Sequence, residues 1–579
     1  MYILGINAYH GDSSACLYLD GKLIAATEEE RIRRVKHWAG LPSEAVKFCL
    51  EFEGISLSDV DIICISKNPT AKFIHKAKFV IRNNLDFRNI KNRVNNIQGV
   101  RTIKSDLKKA LGVEKAIKAE IKFLEHHRCH LASAFYISPF EKSALLSIDG
   151  MGDFTSTMRG IGRGNKIQVL DTVTFPHSLG YFYTSFTQYL GFPNYGDEYK
   201  MMGLSPYGSP NKEIENKIWD YIQLRKNGLF KLNLKYLRNA NRGDWMSIDE
   251  KGRPLIKPMF NDYFIKQFGP ARQKGEPITQ YHKDLAASVQ NVTEEVIYHM
   301  AEDLYRKTKI KSLCIAGGVG QNSVANGKIV ENTSFENLFV PPASHDAGTS
   351  AGSALLYYHQ KLNNPRHPFK VQPYTGVKFS NEKIEDYLKV EKVNYSKYED
   401  EQLMEVVTNQ LLNGGVVGWF QGQSEFGPRA LGNRSIIVDP RREDAKELLN
   451  EKIKRRESFR PFAPSILKEA VQDYFEQIED VPFMEKVFRI KKDKHKIIPA
   501  VTHVDGTGRL QTVEKNVNPR YYHLIKTFAN KTGVPILLNT SFNENEPIVD
   551  TPTHAFACFF RTKMDMLVLE NCVITRNKL

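Results

Sequence analysis

Cysteine is scarce in this sequence and follows no pattern. The seven residues, Cys16, Cys49, Cys64, Cys129, Cys314, Cys558 and Cys572, include no CxxC pair. An odd, scattered set excludes a disulfide framework and suits a reduced, cytoplasmic protein. Long apolar runs are also missing. No stretch reaches the roughly 18 apolar residues that a membrane span needs. The opening, MYILGINAYHGDSS, has no basic start and turns polar at Asn7, so it does not read as a signal peptide. Acidic residues are the third shortage, 66 against 81 basic, which leaves a net charge of +15.

What is present describes a large globular protein. The chain has 579 residues, 41% hydrophobic and 25% charged. That is enough to bury a sizeable core in two or three domains, and it excludes a disordered tail or a fibre. The positive charge favours anionic partners without choosing among them. It is concentrated: residues 67–109 hold twelve Lys or Arg against Asp86 and Asp106, a local +10. Phe73, Phe79 and Phe87 interleave these cations. A solvated helical insertion and a single-strand binding platform both fit that pattern.

Hydrophobic periodicity gives an α/β protein. Residues 2–8 and 13–19 are apolar runs, and Asp20-Gly21 turns the second into residues 23–27. A helix is expected from Ser43 to about Phe52, and a short buried strand at residues 62–65. The pattern returns at residues 144–148, 154–161 and 167–173, with Asp149-Gly150-Met151-Gly152-Asp153 as a tight polar loop. Two such units suggest a duplicated core. Further strands at residues 311–316 and 338–340 lead into Gly317–Asn322 and Ser344–Gly348, each followed by a helix. Such turns hold polar ligands at helix N-termini. Neither fits the GxGxxG or GxxxxGK[ST] phosphate motifs. Residues 363–375, with three prolines, read as a linker. Beyond it come a helix at 401–412, a strand at 416–420, a helix at 442–453, a strand at 534–538 and a helix at 553–560.

Three constellations carry chemistry. His126 and His130 are four apart, so a helix would put them on one face, as in a divalent-metal grip. Asp149 and Asp346 sit where strands meet glycine turns and could add carboxylates; a helix N-cap competes for Asp346. At the N-terminus, Asp12 is a candidate general base beside His10, with Lys36-His37 nearby. Residues 28–36, EEERIRRVK, could equally be a salt-bridged helix face. The third set lies in the last two hundred residues: GPRALGNR, KRRESFRPF, DGTGR and NTSFN. Arginine forks match phosphate and carboxylate in two-point contacts, so these loops describe a pocket for a small anion.

These segments resemble the NodU/CmcH-type O-carbamoyltransferases, the family of the tobramycin and cephem carbamoyltransferases, over nearly the whole chain. The phrases that carry the resemblance include LGINAYHGDSSAC, EEERIRRVKH, HHRCHLASAFY, SIDGMGD, AGGVGQNSVANG, ASHDAGTSAGSA, GQSEFGPRALGNRS, FRPFAPS and LLNTSFN. The resemblance implies a duplicated ASKHA (actin/hexokinase-like) metal domain at 1–362 and a YrdC-like α/β domain at 376–579. The second domain would make carbamoyl adenylate from carbamoyl phosphate and ATP with Mg(II). The first would transfer the carbamoyl group to a hydroxyl of a small molecule. His126, His130, Asp149 and Asp346 would be metal ligands, for iron(II). Gly318 and Asn322 would hold the adenylate, and Lys36 would contact the acceptor. Arg429, Lys454, Arg460 and Arg509 would hold phosphates, with Asn539, Ser541 and Asn543 on the carbamoyl or ATP side. Relatives often place His directly before Asp at the first loop; here Gly11 separates His10 from Asp12, so either could be the transfer base. The resemblance leads to no nucleic-acid partner, with a homodimer as a candidate assembly. Two rival readings remain: a fused tRNA threonylcarbamoyladenosine synthase, and a nucleic-acid or membrane-surface binder that uses residues 67–109.

Overall fold

The computed structural model describes residues 1–82, 102–114, 117–240, 242, 245–366 and 370–576. The middle of the basic segment, Phe87 included, lies outside the described residues. The chain divides into two compact units, Met1–Val371 and Gln372–Leu579. Among the described residues no helix is long and apolar enough to cross a membrane.

The first unit contains one topology twice. Strands β1 (Tyr2–Asn7), β2 (Ser14–Leu19) and β3 (Lys22–Glu28) form an antiparallel meander. Asp20 and Gly21 both have positive φ, 48° and 80°, so a two-residue turn links β2 to β3. Helices α1 (Glu29–Arg33) and α2 (Ser43–Glu53) then lead to β4 (Ile62–Ile65), which returns parallel to β1. Helix α3 (Phe73–Arg82) follows, and β5 (Glu120–Phe123) adds parallel to β4. The sheet order is β3-β2-β1-β4-β5. The chain then forms helix α4 (His126–Phe135).

The second half repeats this order. A meander of β6 (Lys142–Gly152), β7 (Thr155–Arg163) and β8 (Lys166–Thr174) is joined on the β6 side by parallel β9 (Ser312–Ala316) and β10 (Asn337–Phe339). Between β8 and β9 lies a largely helical insertion ending in α5 (Gln280–Thr308). Helix α6 (Ser323–Asn332) links β9 to β10, and α7 (Gly348–Leu355) follows β10 as α4 follows β5. Identical sheet order and connection sense in both halves make this a duplicated α/β core of the ASKHA type.

One expected feature changes. Residues 149–153 do not form the tight polar loop. β6 runs on to Gly152, with an irregularity between Ile148 and Gly152, and only Asp153 and Phe154 turn the chain, with φ of 50° and 73°. Asp149 therefore projects from a strand, a stiffer mount than a loop. Helices α4 and α7 cross closely because Gly352 has no Cβ, which would overlap the Cys129 carbonyl.

The second unit is built on a nine-stranded mixed sheet. Its strands are β11 (Ser396–Lys397), β12 (Val417–Phe420), β13 (Arg434–Val438), β14 (Ala463–Leu467), β15 (Lys486–Arg489), β16 (Thr507–Val513), β17 (Ile536–Ser541), β18 (Met566–Leu569) and β19 (Cys572–Thr575). The order is β11-β19-β18-β12-β13-β17-β14-β16-β15. Helices α8 (Asp400–Leu412), α9 (Pro519–Thr532) and α10 (Pro552–Arg561) flank it. The core between them buries Trp419, Phe420, Phe528, Phe542 and Phe559 almost completely. Strand β17 extends to Ser541, so Asn539 and Ser541 lie within a strand rather than beyond it.

Candidate functional site

Four donors converge in the first unit. His126 and His130 share one face of α4, as their spacing predicts, and both are buried. Asp149 comes from β6 and Asp346 from the turn before α7. The His126 and His130 Nε2 atoms are 3.1 Å apart. Asp346 Oδ1 lies 3.3 Å from His126 Nε2 and 3.2 Å from His130 Nε2, and Asp149 Oδ2 lies 3.6 and 4.0 Å from the same two atoms. All four donor atoms fall within 4.8 Å of one another. Ligand bonds of about 2.0–2.2 Å to one divalent ion produce donor separations of this size. Two imidazoles and two carboxylates suit a first-row metal.

The electrostatics agree with a cation site. Burial and the neighbouring Asp346 work against ionisation of Asp149, yet His126 and His130 hold it down to about 2. Burial also opposes the Asp346 charge, but His10 and His126 keep that carboxyl well below its ordinary range. His10 Nδ1 forms an ion-pair contact with Asp346 Oδ2, and its Nε2 lies 3.2 Å from the Met151 carbonyl. It thus orients a donor rather than standing free. Asp346 does not cap α7: the N-cap is Ala347 and has no side-chain cap bond. Instead the Asp346 backbone carbonyl accepts from Thr349 N, which leaves the carboxylate for the histidines.

Beside the cluster lies a second set. Asp12, in the left-handed region at φ 56°, accepts from His37 Nδ1 at 2.6 Å. The His37 backbone N–H donates to Glu30 at 2.7 Å. Burial works against a charge on His37, but Asp12 and then Glu30 raise it to about 9. Tyr195 packs edge-on to the His37 ring at 5.3 Å. Lys36 is exposed in the turn between α1 and His37. The run at 28–36 is not a solvated face: Glu28, Glu29 and Arg31 are buried. Glu28 binds His345 Nε2 at 3.1 Å.

Gly318 and Asn322 follow β9 in the turn that leads into α6. Gly318 N donates to Asp149 Oδ1 at 2.8 Å. Asn322 caps α6 by accepting from Ala325 N and exchanges side-chain bonds with Gln290.

The second unit collects the arginines. Arg509 is half-buried, and its Nε atom is buried with no hydrogen-bond partner among the described residues. Burial, then the charges of Arg429, Arg456 and Arg460, push its guanidinium well below its ordinary value. Arginine does not release that proton in practice. The arrangement is a concentration of positive charge suited to an anion. Arg460 lies 3.7 Å from Glu457. The other arginine of GPRALGNR, Arg434, instead stacks its guanidinium 3.7 Å over Phe420 and braces the loop by bonding the Gln421, Gly422 and Asn433 carbonyls. Lys454, 1% exposed, donates to Ser541 O and to Asn543 O and Oδ1. Asn539 donates to Ala430 O, Ser465 and Gln511, and its buried Oδ1 has no partner among the described residues.

Three contributors were not singled out from sequence. His37 was noted only as a neighbour of Lys36, Arg456 only as part of a cationic run, and Tyr195 not at all. The adjacent Glu30 and Asp12 acids were the available signal for His37; none existed for Tyr195.

The family described as Carbamoyltransferase N-terminus matches residues 2–355, and Carbamoyltransferase C-terminus matches residues 408–576. An uncharacterised Synechocystis protein is 41% identical over 99% of this chain and 97% of its own. Nodulation protein NolNO of Sinorhizobium fredii is 36% identical over 98% of this chain and 80% of its own. The 3'-hydroxymethylcephem-O-carbamoyltransferase of Amycolatopsis lactamdurans is 34% identical over 40% of this chain and 42% of its own. Among solved structures, (R)-2-hydroxyglutaryl-CoA dehydratase component A of Acidaminococcus fermentans aligns with a TM-score of 0.34 at 14% identity, over 62% of this chain and 99% of that one.

Proposed function

Since the chain belongs to the carbamoyltransferase family and is a transferase, we propose that it moves a carbamoyl group from carbamoyl phosphate to a small-molecule hydroxyl at the expense of ATP. The observation that supports this best is the buried convergence of His126, His130, Asp149 and Asp346 from three separate segments.

In this reading the second unit activates the donor. Arg429, Arg456, Arg460 and Arg509 neutralise the phosphates of carbamoyl phosphate and ATP. Lys454, anchored by Ser541 and Asn543, and Asn539, with its spare acceptor, hold the carbamoyl amide and nucleotide. One water splits carbamoyl phosphate to carbamate and phosphate, and a carbamate oxygen then attacks the α-phosphorus of ATP, giving carbamoyl adenylate and releasing pyrophosphate. A pocket closed to water protects so labile an acyl group.

The first unit performs transfer. His126, His130, Asp149 and Asp346 would hold a divalent ion, iron(II) in this reading, which supplies Lewis acidity toward the acyl phosphate. Gly318 and Asn322 line the adenylate side, and Lys36 contacts the acceptor. Asp12 takes the proton of the acceptor hydroxyl as it attacks the carbamoyl carbon, and AMP leaves. His37 orients Asp12. His10 holds Asp346 in place, a supporting role of the kind that metal-binding carboxylates commonly receive.

The test is to incubate the protein with carbamoyl phosphate, ATP, Mg(II) and a metabolite extract. Pyrophosphate should appear only when carbamoyl phosphate is present, and one metabolite should gain a carbamoyl mass. ATP cleavage that ignores carbamoyl phosphate, or none at all, would end the proposal.

A further inference from the structure

Helix α3 carries an outward face that the core leaves unused. Its sequence, FIHKAKFVIR, contains no acid. Phe79 points inward, its ring edge-on to Phe154 and Phe175 at 5.7 and 5.0 Å. At about 100° per residue, Phe73, Ala77, Ile81 and Ile74 fall in one sector, with Lys78 and His75 beside it. Phe73, Ile74 and Ile81 are 71%, 66% and 74% exposed. Only three other described large apolar side chains exceed 60%, Val390, Ile478 and Phe560, each in a different part of the chain. Scattered exposed apolar residues are ordinary on a protein surface; three gathered on one helix face mark a contact surface.

The charge selects the partner. The face lies at the start of the stretch that carries twelve cations against two acids. Lys78 is exposed beside the apolar sector. A helix with an apolar face flanked by cations matches the boundary of an anionic bilayer, where side chains enter the acyl region and ammonium groups meet headgroups. Nucleic acid is the other polyanion. However, Ile74 and Ile81 offer no stacking surface, and Phe79 is committed to Phe154 and Phe175.

We propose that α3 is a docking face for an anionic lipid surface. The helix seats on Phe154, and Asp153 immediately before it accepts from the His126 backbone N–H at 2.9 Å. One hairpin therefore separates the docking face from the donor cluster.

Vesicle flotation with the full chain tests this. The probes are phosphatidylcholine vesicles with and without about 30 mol % phosphatidylserine. Wild type should float with the anionic vesicles and not with the neutral ones, and added salt should weaken the binding. The Phe73→Ser, Ile74→Ser, Ile81→Ser triple variant should bind about tenfold or more weakly, with an unchanged melting temperature because these side chains are exposed. Lys78→Glu alone should weaken binding several-fold. The proposal fails if wild type ignores anionic vesicles at low salt, or if the triple variant floats as well as wild type. It also fails if single-stranded polyuridine binds wild type more tightly than the vesicles do.

Discussion

Asp346 shows how much of the site depends on the surroundings of single residues. In sequence it looks like a helix cap; in the fold its two oxygens serve three histidines. Asp12 is comparable. Its position after the first strand marks it as a base, but only the fold shows that His37 holds it. That pair has a pH signature. The His37 imidazole is raised from 6.5 to about 9, so its contribution to stability is complete below 6.5 and disappears as pH rises through about 9. The side chain is partly solvent-accessible, so the effect is small. His37→Gln should melt about 1–2 °C below wild type at pH 6. The gap should close by about pH 10. Melting curves at the two pH values decide this; a gap that persists unchanged would mean that the pair is not ionic.

At the scale of elements, placement depends on glycines. Gly152 ends β6 directly against His126, and a Cβ there would overlap the imidazole ring. Gly150, two residues earlier, would meet only Tyr181 at 3.6 Å. Gly152→Ala should therefore displace His126 and remove most of the bound metal, while Gly150→Ala retains it. Metal content of the two purified variants by mass spectrometry is the check, and equal retention would contradict the packing account.

The same scale explains what was legible in the sequence. The meanders were readable because alternating apolar runs and Asp20-Gly21 specify local structure. The shared face of His126 and His130 follows from helical spacing. The extension of β6 through Gly152 was not readable, because glycine-rich strand and glycine-rich loop look alike until the partner strand is known. Nor was the role of Arg434. Its neighbour in sequence, Arg429, joins the arginines whose charge bears on Arg509, whereas Arg434 stacks on Phe420 and serves the loop. Only long-range packing distinguishes them.

At the scale of the molecule, the positive charge separates into parts with different consequences. In the second unit, arginines gather around Arg509, a half-buried cation in like-charged company, a setting that the proposed reaction fills with small phosphates. In the first unit the excess lies around α3, where exposed apolar side chains point to a lipid surface. The two chemistries of the proposed reaction are likewise assigned to different units. Phosphate activation belongs to the arginines, and acyl transfer to the donor cluster with Asp12. A division of this kind means that one half-reaction should survive loss of the other, because the residues assigned to each lie in different units.

The most direct measurement is pyrophosphate release in the His126→Ala, His130→Ala double variant, supplied with carbamoyl phosphate, ATP and Mg(II), set beside Arg509→Ala. The division predicts near wild-type release from the histidine variant, which fails to carbamoylate any acceptor, and a loss of at least about a hundredfold from Arg509→Ala. A histidine variant that releases pyrophosphate as poorly as Arg509→Ala would contradict it.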